Sequence, residues 1–422
     1  MPSMFFETFG CQMNVADSDA LAAALVARGF TQSESPDTAD LIVVNTCSVR
    51  ERAEKRALAR IAELAAHKRR HNALRRIWVT GCMAQRLGDS LKRDIDGIDR
   101  VIGARSIDMF VKGIDRVLDD SGHGAETDVS DNRVSRFVPV ARGCDNFCAY
   151  CVVPLVRGPE VSLPAADVEA SVKSFVEKGA REVTLLGQNV NSYRDGATTF
   201  PALLRRVHAV EGLARIRFTT SHPKDCSEEL IRTMAELPKV CRHVHLPVQS
   251  GSTRVLGLMN RAYTREQYLR CIDMIRRRLP DADITTDAMV GFPTETASDF
   301  DDTLSLFEAV RFTAAFMFAY SRRGNTVAAS MADDVPAPVK QDRLRRLIEL
   351  QTAITKCHYA AMVGKDVVVL ITGRQDARDG LWMGTDMGCK KVLAACKDCR
   401  PGTILPMRVT RSSGMTLICE RA

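Results

Sequence analysis

The chain has 422 residues, and at about 150 residues per domain this length predicts roughly three domains. Hydrophobic residues make up 45% and charged residues 26%, which excludes an intrinsically disordered chain. The 14 cysteines are too few for a secreted scaffold held together by disulfides. The net charge of +7 permits an anionic partner without requiring one.

The amino-terminal sequence has neither the basic start nor the apolar stretch of an export signal, because Glu7 interrupts it. No window reaches the ~18 unbroken apolar residues of a membrane span. We therefore expect a cytoplasmic protein that does not enter a membrane. Thiols stay reduced in that compartment, so clustered cysteines are predicted to be metal ligands rather than disulfides.

The first hundred residues alternate short apolar runs with longer amphipathic ones, which is typical of an open parallel sheet covered by helices. Strands are predicted at Met4–Thr8, Leu41–Asn45, Ile77–Thr80 and Val101–Gly103, and helices at Asp17–Arg28 and Glu51–His71. A polar segment rich in turn-forming residues follows. We therefore predict an N-terminal α/β domain over residues 1–118 and a linker over residues 119–136.

The rest of the chain indicates two further domains. Six strand-like runs, each followed by a helical one, predict a partial β/α barrel over residues 137–360. These strands are predicted at Val138–Ala141, Glu182–Leu186, Arg215–Thr219, His243–Leu246, Asp283–Thr286 and Ala315–Phe318. After a predicted helix at Lys340–Met362, short β-rich runs predict a small β-barrel over residues 361–422. Its strands are predicted at Asp366–Thr372, Leu381–Gly384, Ile404–Thr410 and Thr416–Cys419.

Three cysteines directly after the first barrel strand carry the strongest chemical signal. Cys144, Cys148 and Cys151 are spaced C-x3-C-x2-C. Three thiolates this close can hold three corners of a cubic iron–sulfur cluster and leave the fourth iron open to a non-protein ligand. Zinc is the alternative, but structural zinc usually has four ligands and no fourth Cys or His lies nearby in the sequence. The spacing therefore favours an iron–sulfur cluster.

A second set of cysteines is spread over the N-terminal domain. Cys11, Cys47 and Cys82 each follow the carboxyl end of a predicted strand. Because those ends share one edge of an open parallel sheet, we expect the three thiols to converge and to hold a second cluster with an open iron. Three unrelated buried thiols are the alternative, which the repeated position after a strand disfavours.

The cysteine run Cys144–Cys151 resembles the signature of the radical S-adenosylmethionine enzymes. Together with the N-terminal cysteines, it makes nearly the whole chain similar to the methylthiotransferases. Within them it is most similar to the MiaB branch, the tRNA 2-methylthio-N6-isopentenyladenosine synthases. The motifs that carry this resemblance are Gly10–Asn14, Asn45–Glu51, Arg142–Cys148, Leu186–Tyr193, Thr219–Pro223 and His245–Ser252.

This resemblance implies two 4Fe-4S clusters, one that supplies or carries sulfur and one that generates radicals. It also implies two molecules of S-adenosylmethionine, one a methyl donor and one cleaved to a radical that activates adenine C2. The residues that would contact this cofactor are Tyr150, Gln188, Asn189 and Gln249. A core tyrosine and loop amides bonded to the backbone are the alternatives. The chain departs from the branch pattern at Leu155, Pro159 and Thr294, so the resemblance does not define the details of the substrate pocket, and both cysteine motifs are intact.

The tail from Ala361 to Ala422 carries ten Lys and Arg residues against six Asp and Glu residues, more than half of the excess positive charge. A small basic β-barrel can hold phosphates without reading bases. Its place in the chain is similar to that of the TRAM RNA-binding module of this family. The candidate RNA contacts are Lys390, Lys391, Arg408 and Arg411, with solvated surface charge as the alternative for each. Cys389, Cys396 and Cys399 are predicted to be ordinary thiols.

We therefore predict a transferase that inserts a methylthio group at C2 of N6-isopentenyladenosine next to the anticodon of tRNA. A base in a single-stranded loop such as the anticodon loop is the easiest to expose from its stack. The expected partners are the anticodon stem-loop and an electron donor such as flavodoxin or ferredoxin, and the chain is expected to be a monomer. The alternatives are a methylthiotransferase for threonylcarbamoyl-adenosine or a ribosomal-protein aspartate, and a non-enzymatic iron–sulfur RNA-binding protein.

Overall fold

The computed structural model describes residues 1–49, 51–70, 75–107, 111, 133–375, 380–396 and 398–421. The chain divides into two compact units. The first contains Met1–Asp131, Arg142–Phe147 and Cys151–Val161, and the second contains Asn132–Ala141, Cys148–Tyr150 and Ser162–Ala422. Residues 119–132 of the predicted linker lie outside the described residues, and the predicted domain boundaries stay predictions.

The first unit contains an open five-stranded parallel sheet, as predicted. Its strands are β1 (Ser3–Thr8), β2 (Thr31–Gln32), β3 (Leu41–Thr46), β4 (Arg76–Gly81) and β5 (Arg100–Gly103), in the order β2-β1-β3-β4-β5. Its helices are Gln12–Val26, Glu51–Arg70, Cys82–Leu87, Ser90–Asp94 and Val153–Arg157, with a 3-10 turn at Ala104–Ser106. Every residue of β3 is buried, as expected of a central parallel strand covered on both faces.

Alternate residues of β3 pack into two different cores. Ile42 faces the helix Glu51–Arg70, where it meets Ile61, while Val43 faces the helix Gln12–Val26, where it meets Leu25. This packing explains why the apolar run shows no alternation with polar residues.

The first helix begins five residues earlier than predicted, at Gln12 instead of Asp17. Its N-cap is Cys11, whose side chain makes no capping hydrogen bond, so the usual sequence signal for a helix start is missing. The consequence is that Cys11 lies directly between the first strand and the first helix.

The second unit contains the predicted six parallel strands. They form two three-stranded sheets, β12-β9-β6 and β13-β14-β15, which meet through a bridge between Ile216 and Val240. The strands from β6 onward are β6 (Ser135–Pro139), β7 (Ala141–Arg142), β8 (Val161–Ser162), β9 (Glu182–Leu186), β10 (Arg194–Asp195), β11 (Thr198–Thr199), β12 (Arg215–Thr219), β13 (His243–His245), β14 (Asp283–Val290) and β15 (Ala314–Ala319).

Helices connect these strands and cover one face of the two sheets. The α-helices are Ala165–Glu177, Phe200–His208, Glu228–Glu236, Thr253–Leu258, Arg265–Arg278, Ala297–Val310 and Ala337–Ala360. Short 3-10 turns occur at Val190–Ser192, Pro223–Asp225 and Val327–Ser330. Helix-facing strand residues such as Val183, Ile216 and Ile284 share one hydrophobic core with Phe307 of the helix Ala297–Val310. The succession of parallel strand and helix is that of a partial β/α barrel.

The chain ends in a closed five-stranded β-barrel, as predicted. Its strands are β16 (Asp366–Arg374), β17 (Leu381–Thr385), β18 (Lys391–Ala395), β19 (Ile404–Ser413) and β20 (Thr416–Arg421), in the order β16-β17-β18-β20-β19. The strand β18 was not predicted, because only Val392 and Ala394 of its residues point into the core and alanine is a weak strand former.

The sequence prediction for the cysteines of this barrel was wrong in part. Cys396 and Cys399 form a disulfide instead of remaining ordinary thiols. Cys389 is not in a disulfide. Both cysteines lie in the connection between β18 and β19. Because β18 was not predicted, this connection could not be located from the sequence.

The C-terminal barrel is joined to the amino ends of the β/α-barrel strands by buried charged side chains. Arg215, the first residue of β12, donates hydrogen bonds to the carbonyl oxygens of Thr385 and Val368, both at 2.7 Å. Lys390 forms an ion pair with Asp283, the first residue of β14. Over the described ranges, each helix is too short or too polar to cross a lipid bilayer.

Candidate functional site

The three N-terminal cysteines lie at one edge of the parallel sheet. Cys11 follows β1 after two residues, while Cys47 and Cys82 directly follow β3 and β4. These strands are neighbours and run parallel, so their carboxyl ends meet. Burial, together with the nearby thiols of Cys47 and Cys11, raises the pKa of Cys82 to about 11. The structure therefore brings the three thiols within electrostatic reach of one another.

Two buried asparagines hold these strand ends together. The Asn14 amide nitrogen donates to the carbonyl oxygens of Phe9 and Thr46, at 3.1 and 2.9 Å, and to the Asn45 side-chain oxygen at 3.1 Å. The Asn45 amide nitrogen donates in turn to the Asn14 carbonyl oxygen at 2.8 Å. Sequence analysis included both residues in motifs without assigning them a task. They fix the relative position of the segments that carry Cys11 and Cys47.

A glycine precedes Cys82 and allows the close approach of two strand ends. Gly81 has a φ of +97°, and a Cβ atom there would lie 2.3 Å from the Thr46 carbonyl oxygen and 2.4 Å from Asn45 Oδ1. A residue with a Cβ therefore cannot occupy this position without moving β3. The site thus depends on backbone packing as well as on the thiols themselves.

The thiols of the second cysteine set accept hydrogen bonds from nitrogen donors. Cys144 Sγ accepts from the Asn146 amide at 3.4 Å, and Cys151 Sγ accepts from the Val153 backbone N–H at 3.4 Å. In the second unit, Cys148 Sγ accepts from Arg261 Nη1 at 3.3 Å. Donors of this kind stabilise a thiolate, the form that binds metal.

The cysteine chemistry fits iron–sulfur clusters held by three thiolates each. In the part of the chain that the structure describes, no group of three or more His, Cys, Asp or Glu side chains is already arranged to hold a metal ion. The observation that supports iron–sulfur clusters is therefore the placement of the cysteines, not a metal-binding geometry that is already formed.

Arg261 is a functional candidate that sequence analysis missed. Its guanidinium is buried, and besides Cys148 it donates to the Pro247 carbonyl oxygen at 3.1 Å and to the Tyr263 hydroxyl at 3.1 Å. The Tyr263 ring in turn packs edge-on against His222, with 5.6 Å between ring centroids. No sequence motif marked Arg261, because its partners come from three separate loops.

The residues expected to contact S-adenosylmethionine lie at the carboxyl ends of the β/α-barrel strands. Asn189 is buried after β9, and its amide nitrogen donates to Asp225 Oδ2 at 2.7 Å. Gln188, beside it, is half-buried, and Gln249 is buried in the left-handed backbone region at a φ of +69°. Tyr150 is half-buried and packs against a separate small core.

Three buried side-chain oxygens near these strand ends have no hydrogen-bond partner among the described residues. They are Asn189 Oδ1, Asn191 Oδ1 and Ser221 Oγ. Buried polar atoms are nearly always satisfied in folded proteins, so an unsatisfied group calls for a ligand or water. A polar cofactor such as S-adenosylmethionine fits this arrangement.

The face of the β/α-barrel sheets opposite the helices carries polar and aromatic side chains. His245 on β13 contacts Asp287 on β14, with 3.5 Å between Nε2 and Oδ1. Phe316 on β15 pairs in register with Asp287, and its ring packs edge-on against His245 at 6.2 Å. Phe316 is 55% exposed even though its strand neighbours Ala315 and Met317 pack into the helix-covered core. An aromatic ring left open beside a polar pair is suited to a planar ligand.

The departure from the family pattern at Thr294 coincides with an unusual backbone conformation. Thr294 has a φ of +66°, a left-handed region that disfavours β-branched residues and favours glycine. Its backbone N–H donates to Asp334 Oδ1 at 2.7 Å, and its carbonyl oxygen accepts from Arg254 Nη2 at 2.6 Å. Both of these contacts are made by the backbone, so a glycine would keep them and would lose only the exposed hydrogen bond that Thr294 Oγ1 accepts from Arg254 Nη1 at 3.3 Å.

Thr294→Gly is therefore expected to raise the free energy of unfolding by about 1 kcal/mol, because it removes the strain of the left-handed conformation. Urea unfolding of the two proteins would measure this difference. Thr410→Gly is the matched control, since Thr410 is an exposed strand residue without a positive φ. That substitution should lower stability, and a loss of stability from both would show that Thr294 is not strained.

The other two departures from the family pattern are at Leu155 and Pro159. The Leu155 side chain is 47% exposed, and its carbonyl oxygen accepts a hydrogen bond from Arg105 Nη2 at 2.7 Å. Pro159 is exposed. Neither substitution disturbs a buried core.

The four candidate RNA contacts differ in their exposure to solvent. Lys391, Arg408 and Arg411 are exposed, and Arg408 also pairs with Asp366 at 2.6 Å. Lys390 is buried in its ion pair with Asp283. Because its ammonium group is occupied inside the protein, we correct the expectation and remove Lys390 from the candidate RNA contacts.

The fold and the cysteine spacing agree with comparisons to known protein families. Residues 138–307 match the family model described as "Radical SAM superfamily", and residues 3–103 match "Uncharacterized protein family UPF0004". A solved structure of the radical S-adenosylmethionine methyltransferase TsrM from Kitasatospora setae is similar over 78% of this chain and 77% of that chain, with a TM-score of 0.58 at 16% identity. The cobalamin-dependent radical enzyme OxsB gives a TM-score of 0.51 at 12% identity over 83% and 56%. Residues 138–307 thus form a domain of the radical S-adenosylmethionine superfamily, with the corresponding fold.

Curated relatives define the family more closely. The tRNA-2-methylthio-N(6)-dimethylallyladenosine synthase of Syntrophotalea carbinolica is 43% identical, over 97% of both chains. The protein of the same name from Thermoanaerobacter sp. is 47% identical over 87% of this chain and 81% of that one. The chain belongs to the family of tRNA-2-methylthio-N(6)-dimethylallyladenosine synthases, which confirms the resemblance to the MiaB branch.

Proposed function

We propose that the protein is a radical S-adenosylmethionine methylthiotransferase that inserts a methylthio group at C2 of N6-dimethylallyladenosine next to the anticodon of tRNA. The dimethylallyl group is the isopentenyl group of the sequence prediction. The observation that carries this proposal is the meeting of Cys11, Cys47 and Cys82 at one sheet edge, in a chain that has a separate C-x3-C-x2-C set. Two distinct sets of three thiols suit a reaction that needs both a radical and a sulfur atom.

The chain's own residues have separate tasks in this proposal. Cys144, Cys148 and Cys151 hold one 4Fe-4S cluster, and Cys11, Cys47 and Cys82 hold the other. When bound, the clusters and two molecules of S-adenosylmethionine supply the electron, the hydrogen-abstracting radical, the methyl group and the sulfur.

The protein's other task is to hold the cofactor away from solvent. Asn189, Asn191 and Ser221 offer buried oxygen atoms to the polar groups of S-adenosylmethionine. Gln188, Gln249 and Tyr150 complete the proposed contacts. Rigid placement matters because a radical that is free to move would react with the protein itself.

Phe316 is the proposed platform for the target base. Stacking of a base on an aromatic ring contributes about 1–3 kcal/mol. Phe316→Ala is therefore expected to raise the KM for tRNA by roughly 10- to 100-fold, since each ~1.4 kcal/mol corresponds to a factor of ten. The ring is 55% exposed, so its removal should leave the melting temperature almost unchanged. Steady-state kinetics with a tRNA substrate would measure the effect, with Val368→Ala, an exposed residue of β16, as control. An unchanged KM would contradict the role of Phe316.

The C-terminal barrel is proposed to bind the RNA backbone. Lys391, Arg408 and Arg411 present exposed positive charge on this barrel, which suits phosphate contacts that do not read sequence. The partner is proposed to be the anticodon stem-loop, in the cytoplasm. A flavodoxin or ferredoxin is proposed to supply the electron to a monomeric enzyme.

One experiment tests the proposed function directly. The protein is reconstituted anaerobically with iron and sulfide, reduced, and incubated with S-adenosylmethionine and tRNA that carries N6-dimethylallyladenosine. Release of 5′-deoxyadenosine and formation of the 2-methylthio nucleoside, both measured by mass spectrometry, are expected. Product on a threonylcarbamoyl-adenosine tRNA or on a ribosomal-protein aspartate instead would identify a different methylthiotransferase. No 5′-deoxyadenosine from fully loaded protein would identify a non-enzymatic iron–sulfur protein.

A further inference from the structure

All three nitrogen atoms of the Arg261 guanidinium are engaged in hydrogen bonds within the second unit. Nη1 donates to Cys148 Sγ at 3.3 Å. Nη2 donates to the Pro247 carbonyl oxygen and Nε to the Tyr263 hydroxyl, both at 3.1 Å. Arg261 is only 5% exposed, so little water competes for these contacts. The guanidinium is therefore fixed in position and orientation beside the Cys148 sulfur.

Backbone hydrogen bonds hold the segments of Arg261 and Cys148 together. The Ala149 backbone N–H, next to Cys148, donates to the Met259 carbonyl oxygen at 2.9 Å. The Arg261 backbone N–H donates to the Leu256 carbonyl oxygen at 3.0 Å. The contact between guanidinium and sulfur thus depends on the backbone of both segments as well as on the arginine side chain.

The backbone on both sides of Arg261 has an uncommon conformation. Asn260 has a φ of +56° and Ala262 a φ of +55°. Residues with a Cβ atom rarely adopt this left-handed region, and for alanine it is strained. Such strain persists where the surrounding structure fixes the backbone, often at functional sites. The turn that carries Arg261 is therefore closely specified.

Arg261 has no acidic partner among the described residues. Its hydrogen bonds go to two neutral oxygen atoms and to the sulfur of Cys148. A buried charge that lacks a counter-charge is unfavourable, so an anionic sulfur is the partner that this cation requires. Cys148 supplies that negative charge in its thiolate form, which is also the form that binds iron.

We infer that Arg261 is a positioning residue that raises the reduction potential of the cluster bound by Cys144, Cys148 and Cys151, through its hydrogen bond to the Cys148 sulfur. This inference rests on the proposed function, because it assumes that these cysteines hold a cluster. Reduction adds an electron to the cluster, so a positively charged donor at a ligand sulfur stabilises the reduced form more than the oxidised form. The cluster then accepts an electron more easily from the proposed protein donor.

The test isolates this cluster in the full-length chain. A background protein in which the three N-terminal site cysteines are replaced by alanine is reconstituted anaerobically with iron and sulfide. Its cluster is titrated potentiometrically, with detection by electron paramagnetic resonance. Arg261→Gln and Arg261→Lys are made in this background. The control is Arg217→Gln, which removes a comparably buried arginine of the second unit that pairs with Glu182 at 2.7 Å.

The variants of Arg261 are expected to have graded effects on the midpoint potential. Arg261→Gln removes the positive charge and should lower the equilibrium constant for one-electron reduction at least tenfold, a shift of about 59 mV to more negative potential. Arg261→Lys keeps the charge without the planar fork of donors, so its shift should have the same sign and be smaller. Arg217→Gln should leave the potential unchanged. A purely structural role of Arg261 would change stability without this order of potentials.

A second measurement detects the hydrogen bond without a variant. The background protein is prepared with ¹⁵N-labelled arginine, and its reduced cluster is studied by electron spin-echo envelope modulation. A ¹⁵N coupling is expected, because one guanidinium nitrogen donates to a ligand sulfur. The coupling should disappear in Arg261→Lys, which carries no label at this position.

Several results would overturn the inference. An unchanged or more positive potential in loaded Arg261→Gln, or an equal shift from Arg217→Gln, would exclude the charge effect. A folded Arg261→Gln protein that binds no iron would assign Arg261 to cluster assembly instead. If the Arg261 variants do not fold, judged by circular dichroism, the ¹⁵N coupling decides, and its absence would exclude the hydrogen bond.

Failure of the proposed function would give a different result. A background protein that binds no iron would overturn the cluster at the C-x3-C-x2-C set, and the inference with it. Full iron loading with the same potential in Arg261→Gln would overturn the inference alone.

Discussion

Cys11→Ala is expected to abolish methylthio insertion while 5′-deoxyadenosine release continues. Cys11 belongs to the set of three thiols at the sheet edge, and two remaining thiols hold a four-iron cluster poorly. The three cysteines at residues 144, 148 and 151 are unchanged, so radical generation should persist. Iron content should fall from about eight to about four atoms per chain, counted for two four-iron clusters. Iron analysis and nucleoside mass spectrometry on the same preparation would measure both effects.

A matched cysteine gives the control for this prediction. Cys357 lies exposed on the long helix Ala337–Ala360 and is not in a disulfide. Cys357→Ala should therefore retain all the iron and all the activity. Sulfur insertion at the normal rate by Cys11→Ala would refute the two-cluster proposal. Loss of 5′-deoxyadenosine release as well would show that the two cysteine sets do not act separately.

Gly81→Ala is expected to lower the stability of the first unit strongly. Its new Cβ would lie 2.3 Å from the Thr46 carbonyl oxygen, so β3 and β4 could not keep their spacing. The positive φ adds about 1 kcal/mol of backbone strain. Overpacking costs typically ~1–3 kcal/mol, so the two effects together predict a loss of roughly 2–4 kcal/mol. Denaturant unfolding followed by circular dichroism would measure it.

Gly88→Ala separates the two causes of this loss, the close contact of the new Cβ and the positive φ. Gly88 also has a positive φ, of +53°, but a Cβ there would meet no atom within 4 Å. This variant should lose only about 1 kcal/mol, the cost of the strained backbone. Equal losses from the two variants would show that close packing of β3 and β4 is unimportant. A larger loss from Gly81→Ala, with reduced iron binding, would connect this packing to the cysteine site.

The elements that sequence analysis located well are those with a strong local pattern. The fully buried β3 was found because its first four residues form a continuous apolar run. The six strands of the β/α barrel were found because short strand-like runs recur between helical ones. The strand-end positions of Cys11, Cys47 and Cys82 followed from the parallel sheet, whose carboxyl ends always share an edge.

The features that sequence analysis missed depend on contacts between distant parts of the chain. The ion pair of Lys390 with Asp283 spans 107 residues. Asp17 forms ion pairs with Arg142 and Arg157, which lie 125 and 140 residues further along the chain. An isolated lysine or aspartate looks the same in a sequence whether it is solvated or buried. Thr294 departs from the family pattern, and its left-handed backbone conformation is a feature that only the structure shows.

The attachment of the C-terminal barrel through Arg215 and Lys390 fixes the distance between this barrel and the β/α barrel. Because these side chains are buried, the barrel cannot swing on its connection to the β/α barrel without leaving charges unpaired. An RNA backbone bound on the surface of the C-terminal barrel would therefore lie at one set distance from the β/α-barrel strand ends where we propose that the cofactor binds. Selection of a base would then depend on how many nucleotides separate it from the gripped phosphates. A tRNA with a loop one nucleotide longer would present the wrong base.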